Sequence, residues 1–270
     1  MIKKILHCAD IHIRTYRMHE EYKEIFTKFI EELKEYCKDF EYEEVRIAIV
    51  GDLVHQKITI SNEQLILSTW FLRELSKVAP VVLVAGNHDL LENNKDRVDS
   101  ISPMIHLLDN PNIHFYKESQ CYEDENVVWC NYSIFEENER PDIEEGRVEF
   151  GNDKTYIGLY HAPLVGASTD IGYEFSEGTS LEHFEGCDMV LLGDIHKRQS
   201  FDHKGIPIVY PSSLIQQNFG ESVNKHGYLI WDVESRTYLE KDIETRYGFY
   251  QFKVNSLEDI DNGIEKLTNG

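Results

Sequence analysis

The chain has 270 residues, enough for one sizeable buried core or for one core with a small appendage. Its 41% of hydrophobic residues excludes a disordered chain, and no run approaches the ~18 apolar residues of a membrane span. The formal charge of −22 argues against unaided binding of nucleic acid, but the excess is uneven. Between Glu118 and Glu149 there are 11 acidic residues and 2 basic ones, Arg140 and Arg147, which reads as solvated surface and leaves room for a phosphate substrate held by metals.

The basic start Met1-Ile-Lys-Lys is interrupted by His7 and Asp10 too early for a signal peptide. Lys4 to Ala9 reads as a strand. Tyr22 to Tyr36 reads as a helix with Ile25, Phe26, Phe29, Ile30 and Leu33 on one face. Val45 to Val50 is a second strand. Ser61 to Val78 is a second helix, opened by a capping box of Ser61 with Gln64. Pro80 to Ala85 is a third strand, and the β-α-β-α-β order implies parallel strands with right-handed crossovers. The second half is richer in strands: Val127 to Ile134, Thr155 to Tyr160, Met189 to Leu192, Ile206 to Tyr210, Tyr228 to Val233 and Tyr238 to Ile243. Together these predict an α/β fold of two packed sheets with helices outside. From Tyr247 one more strand and a helix start at Ser256 suggest that a second domain opens. The expected division is a core over 1–244 and the start of a capping domain over 245–270.

The five cysteines, Cys8, Cys37, Cys121, Cys130 and Cys187, are odd in number and widely spaced, and no pair is Cys-x-x-Cys. A disulfide framework and a thiolate zinc site are therefore not expected, and a reducing, intracellular (cytoplasmic) setting is.

The informative pattern lies at the carboxyl end of each apolar strand. Ile5 to Ala9 runs into Asp10-Ile11-His12; Ile47 to Val50 into Gly51-Asp52; Val81 to Ala85 into Gly86-Asn87-His88-Asp89; Tyr156 to Tyr160 into His161; and Met189 to Leu192 into Gly193-Asp194-Ile195-His196. In open α/β sheets these strand ends are where ligands bind. Any one of these motifs alone is an ordinary turn or surface residue. Their repetition, five times after a buried strand, is not. Imidazole with carboxylate and no thiolate suits manganese, iron or zinc. Two such cations can drive phosphoryl transfer, and Asp52, with two oxygens, is the natural bridge between them. His7, His19, His106, His114, His183, His203 and His226 read as structural or surface histidines.

This ordered set resembles the calcineurin-like metallophosphoesterase superfamily and, within it, the SbcD-type nucleases of double-strand-break repair, with the phage-like branch closest. His55, three residues after Asp52, fits that nuclease family, where the protein phosphatases carry Asp-Arg-Gly. Tyr210-Pro-Ser-Ser-Leu214, Phe219-Gly-Glu221 and His226-Gly-Tyr228 are similar to the segment that closes the nuclease core. Two departures stand out. Asp194 occupies the place of a histidine in the usual Gly-His-x-His, and Ser212 the place of a glycine in Pro-Gly-Ser.

The resemblance implies a four-layer α-β-β-α sandwich holding two divalent metal ions, Mn2+ in preference to Mg2+. One metal would be held by Asp10, His12, Asp52 and His196, the other by Asp52, Asn87, His161 and Asp194. It implies hydrolysis of a DNA phosphodiester by exonucleolytic and endonucleolytic cutting. His88 would donate a proton to the leaving oxygen, Asp89 would orient His88, and His55 would seat the strand end. It also implies a homodimer and an SbcC-type ATPase partner. Arg14, Arg17, Lys197 and Arg198 lie close to the motifs and are candidate phosphate contacts, with surface solvation as an equal alternative. Rival readings are another phosphoesterase of the superfamily, such as a phosphomonoesterase or cyclic-nucleotide phosphodiesterase, or a metal-free scaffold of the same fold.

Overall fold

Side chains alternate across a strand, and here both faces of the central strands are apolar, so both must be covered. β1 (Lys4–Cys8), β2 (Val45–Val50), β3 (Val81–Val84) and β4 (Ile113–Phe115) run parallel in one sheet. A second sheet is built from β5 (Cys121–Asp124), β6 (Val127–Tyr132), β7 (Thr155–His161), β8 (Met189–Gly193), β9 (Gln199–His203) and β10 (Ile206–Tyr210), in the order β5-β6-β7-β8-β10-β9. Its four inner strands are parallel. β11 (Gly227–Asp232) and β12 (Thr237–Asp242) return antiparallel to the first sheet, giving the order β12-β11-β1-β2-β3-β4. The computed structural model describes residues 1–136 and 139–269.

Ile5, Ala48, Val50, Val82, Val84, Leu229 and Trp231 of the first sheet meet Trp129, Ile157, Leu159, Met189, Leu191 and Val209 of the second in the layer between them. The outer face of the first sheet, with Leu6, Cys8, Ile47, Ile49 and Leu83, is covered by helices. These are α1 (His19–Cys37), α2 (Asn62–Leu75) and α3 (Ile101–Leu108). The outer face of the second sheet, with Val128, Cys130, Tyr156, Val190 and Leu192, is covered by α4 (Ile143–Phe150) and a 3-10 turn at Leu181–Phe184. The result is the expected four-layer sandwich.

Local chemistry sets the element ends. Ser61 Oγ accepts the Gln64 N–H at 3.1 Å, forming one arm of the expected capping box. The other arm is absent, because the Gln64 amide instead donates to the carbonyl of Ile13. α2 stops at Leu75, short of Val78, where the chain tightens into turn hydrogen bonds ahead of Pro80.

The short edge strands β4, β5 and β9 and the eight-residue helices α3 and α4 carry no long apolar run, so no sequence pattern marks them. Nor does the expected strand after Tyr247 form. The backbone of Phe249 hydrogen-bonds both ends of the Gln216 side-chain amide in place of a ladder partner. α5 (Leu257–Asn269) follows. No helix among the described residues is long and apolar enough to cross a membrane.

Candidate metal centre

The parallel strands of the two sheets end at a common edge. There His161 Nδ1, at the end of β7, donates to the Val50 carbonyl at the end of β2, at 2.8 Å. Deeper in, the buried His7 reaches from β1 to the Leu192 carbonyl at 3.0 Å. These contacts between sheets bring the five strand-end motifs together.

Asp10, His12, Asp52 and His161 are buried. The backbone is left-handed at Asp10 (φ 53°), His12 (φ 51°), Asp52 (φ 54°) and Asp194 (φ 94°), a strained conformation for non-glycine residues that concentrates at functional sites. The glycines before Asp52, Asn87 and Asp194 serve a shared purpose. A Cβ at Gly51 would lie 2.5 Å from His161 Cγ, one at Gly86 2.6 Å from His161 Nε2, and one at Gly193 2.5 Å from His161 Nδ1. Three backbones thus close around one imidazole, and only glycine permits that approach.

Asp52 sits at the middle of the cluster. Its Oδ2 is 3.4 Å from His12 Nε2 and its Oδ1 is 3.4 Å from His161 Nε2, so each oxygen faces a separate half-site. On the first side, His196 Nε2 lies 3.0 Å from His12 Nε2 and 3.6 Å from Asp10 Oδ1. On the other, Asp194 Oδ1 lies 3.9 Å and Asp10 Oδ1 4.0 Å from His161 Nε2. Among the described residues three groups have metal-ligand spacing: Asp10, His12 and His196; Asp10, Asp52 and His161; and His12, His55 and His88.

Two buried candidate ligand atoms, Asn87 Oδ1 and His161 Nε2, have no hydrogen-bond partner. His161 Nδ1 donates to the Val50 carbonyl, so Nε2 is the ring nitrogen aimed at the carboxylates. Buried polar atoms are rarely left unpaired, and here the donor set is that of a divalent cation.

Electrostatics point the same way. Burial pushes the Asp10 carboxyl up to about 7, and neighbouring Asp52 and Asp194 add to the rise. Burial raises Asp194 as well. Asp52 is held below the ordinary carboxylate range, its burial outweighed by His161 and His12 beside it. Carboxylates crowded in a dry site require positive charge.

Around this cluster lies a third group of histidines. His55 Nδ1 is 3.2 Å from His12 Nδ1, and the His55 and His88 rings stack at 5.1 Å. His88 Nδ1 donates to the His55 carbonyl at 2.7 Å, which turns its other nitrogen away from that backbone. The orientation of His88 therefore comes from His55, not from Asp89. Asp89 is buried, and its oxygens accept the N–H groups of Leu53 (3.2 Å), Val54 (3.0 Å) and Gly86 (2.8 Å). It clamps two site loops together, and burial beside Asp52 pushes its carboxyl up to about 7.

The basic candidates divide. Arg198 is committed inside the protein, donating to Pro211 O (3.0 Å), Asp242 Oδ1 (2.6 Å) and Lys241 O (3.1 Å), so a phosphate role is not what its geometry serves. Arg14 donates to the Gln217 carbonyl at 3.0 Å. Lys197 donates to Ser168 Oγ at 2.9 Å and borders a cavity of about 390 Å³ together with Asp194 and His196. Arg17 is exposed.

In sequence, Glu221 stands out only as part of a closing segment. In the fold its Oε1 accepts from His196 Nδ1 at 2.7 Å, and its side chain is 7% exposed. A carboxylate behind a metal-ligating histidine fixes the tautomer and the ring direction, and Glu221 lies 25 residues away, beyond the reach of a local motif. Ser212 adopts φ 86°, the backbone a glycine would take, as the departure from Pro-Gly-Ser requires.

Residues 3–198 match the calcineurin-like phosphoesterase family. An uncharacterized protein of Acanthamoeba polyphaga mimivirus is 34% identical over 98% of the chain, which spans only 20% of that protein's length. The SbcD component of the nuclease SbcCD of Staphylococcus epidermidis is 23% identical over 88% of the chain and 68% of its own. Among solved structures, the phosphopantetheinyl hydrolase of Mycobacterium tuberculosis overlaps 77% of this chain and 88% of its own, with a TM-score of 0.45 and 12% identity. With its strand-end carboxylates and imidazoles gathered at one edge of a two-sheet sandwich, the chain belongs to the calcineurin-like phosphoesterase family.

Proposed function

We propose that this protein is a two-metal phosphodiesterase that cuts DNA, as the nuclease subunit of an SbcCD-like complex in double-strand-break repair, recombination or replication. The observation that carries the reading is Asp52, with one oxygen toward His12 and the other toward His161. Asp10, His12, Asp52 and His196 would hold one divalent cation, and Asp52, Asn87, His161 and Asp194 the other. Manganese suits this mixture of imidazole and carboxylate better than magnesium, which prefers oxygen ligands. Bound there, the cations would supply positive charge at the scissile phosphate. His88, braced at Nδ1 by the His55 carbonyl, is positioned to hold a proton on its other nitrogen and deliver it to the leaving 3′ oxygen. His55 stacks on His88 and seats the strand end.

Similarity to the staphylococcal SbcD component supports a nuclease reading and an SbcC-type partner; that this partner is an ATPase and that the chain pairs as a homodimer are part of the proposal. The charge of −22 supports a partner that supplies the basic surface. Residues 1–244 would form the nuclease core, with 245–270 opening a capping domain, in a reducing cytoplasm.

Turnover on a 3′-recessed duplex against turnover on a small aryl phosphate, each with manganese and with chelator, tests the substrate class. Preference for the aryl phosphate would instead favour a phosphomonoesterase. His88→Ala should lower the cleavage rate ~10²–10⁴-fold, the usual range for a lost general acid, while calorimetry still shows both metals bound. An emptied metal site in that variant would contradict the role given to His88.

A further inference from the structure

Three of the five cysteines lie together on the outer side of the second sheet, set back along the strands from the metal centre. Cys121 on β5 and Cys130 on β6 are direct partners in the antiparallel register. The adjoining pair is hydrogen-bonded, Asn131 N–H donating to the Gln120 carbonyl at 3.0 Å. Narrow and wide pairs alternate, so Cys121 and Cys130 form a non-hydrogen-bonded pair, where Cα atoms approach to ~4.5 Å. That is within the ~4.4–6.8 Å that a disulfide spans. The two sulfurs are 3.6 Å apart. We propose that Cys121 and Cys130 are a redox modification site, a dithiol that a hydroperoxide converts reversibly to a cross-strand disulfide.

The two thiols differ in the way such chemistry needs. Cys121 is half-buried on the outermost strand of the sheet, where a small oxidant can reach it, and Cys130 is fully buried behind it. The hydrogen-bonding contact with Cys130 holds the Cys121 thiol below its ordinary range, against burial and the nearby carboxylates Asp142, Glu149 and Glu145. The Cys121 thiolate attacks one peroxide oxygen, the O–O bond breaks, and Cys121 becomes a sulfenic acid as the peroxide leaves as water or alcohol. The Cys130 sulfur then attacks the Cys121 sulfur, the S–O bond breaks, and a second water leaves. Each thiol gives up one proton and one electron, and the peroxide takes up both protons and both electrons. Bridges that are exposed, or that join neighbouring strands under strain, are the readily reduced ones, so a thiol reductant restores the pair.

Cys130 also contacts the Cys187 thiol, which makes Cys130–Cys187 the competing link. Cys8 and Cys37 sit in the helix-covered core of the other sheet and serve as internal controls. The test treats the whole protein with hydrogen peroxide, blocks remaining thiols and maps tryptic peptides without reduction. Cys121 and Cys130 share the peptide after Lys117, since no Lys or Arg lies between them, whereas Cys187 is on another. The expected result is loss of two hydrogens within the shared peptide, reversed by dithiothreitol. In Cys130→Ala, Cys121 should instead accumulate as a sulfenic acid that a cyclic diketone traps. Five unmodified thiols after peroxide, or a cross-link between the two peptides through Cys187, would overturn the proposal, and the wild-type map decides even if the variant fails to fold.

Discussion

Replacing Glu221 by Gln removes the charge behind His196 and leaves the side-chain shape unchanged. Glu221 Oε1 accepts from His196 Nδ1 (2.7 Å) and Asn218 Nδ2 (2.6 Å), and Oε2 accepts from the Gln217 N–H (2.8 Å) and Ser213 Oγ (3.3 Å). A glutamine must place its NH2 against one of these pairs of donors. The better choice points NH2 toward Ser213, whose hydroxyl can turn to accept, and keeps the carbonyl on His196. The Gln217 N–H is then left facing a donor, which costs ~1–3 kcal/mol of folding stability. The His196 bond survives without its charge, and loss of such an outer partner weakens metal affinity ~10–100-fold, or ~1.4–2.8 kcal/mol. Titration of the chelated variant with manganese in a calorimeter should show one weakened site, that of Asp10, His12 and His196, and one little changed, that of Asn87 and His161. Equal weakening of both, or of neither, refutes the assignment of Glu221 to one half of the centre.

Gly86→Ala drives a methyl group against Asp52 Oδ1 and to 2.6 Å from His161 Nε2, so manganese uptake should fail, through the shared Asp52 as well as at the Asn87–His161 half; an alanine variant that titrates two sites would show that this loop is not closed around those side chains. His7 is buried neutral, and burial lowers its pKa from 6.5 to about 3. The unfolded chain binds that proton first, so the stability held above pH 6.5 is lost as pH falls toward 3, by roughly 4–5 kcal/mol in total. Denaturant unfolding at several pH values should show a flatter acid limb in His7→Gln, and an unchanged slope would count against the reasoning. With two divalent cations, the carboxylates of Asp10, Asp52 and Asp194 cancel more of the charge than a histidine at 194 would. Asp194→His should therefore lower the pH of half-maximal cleavage and tighten DNA binding, and a pH profile left in place would remove Asp194 from the electrostatics of the centre.

How much of this is legible before folding depends on how local each signal is. The strands that end in Asp10, Asp52, Asn87, His161 and Asp194 announce themselves, because a strand buried on both faces must be apolar throughout and a ligand must interrupt it at its end. Periodicity likewise marks α1 and α2, whose apolar faces bury against the first sheet. The elements that escape, β4, β5, β9, α3 and α4, are short or lie at sheet edges, where solvent on one side erases the pattern. Only the tertiary structure decided which carboxylate serves which group. Asp89 and Asp52 look alike in sequence, each following a glycine within a few residues. Yet Asp89 turns to three backbone N–H groups while Asp52 stands between His12 and His161. Glu221 behind His196, the His55 carbonyl behind His88, and the salt links that withdraw Arg198 from the cleft are likewise contacts between segments far apart in the chain. No local pattern encodes them, because a hydrogen bond is fixed by where two segments come to rest, and the packing of the two sheets sets that.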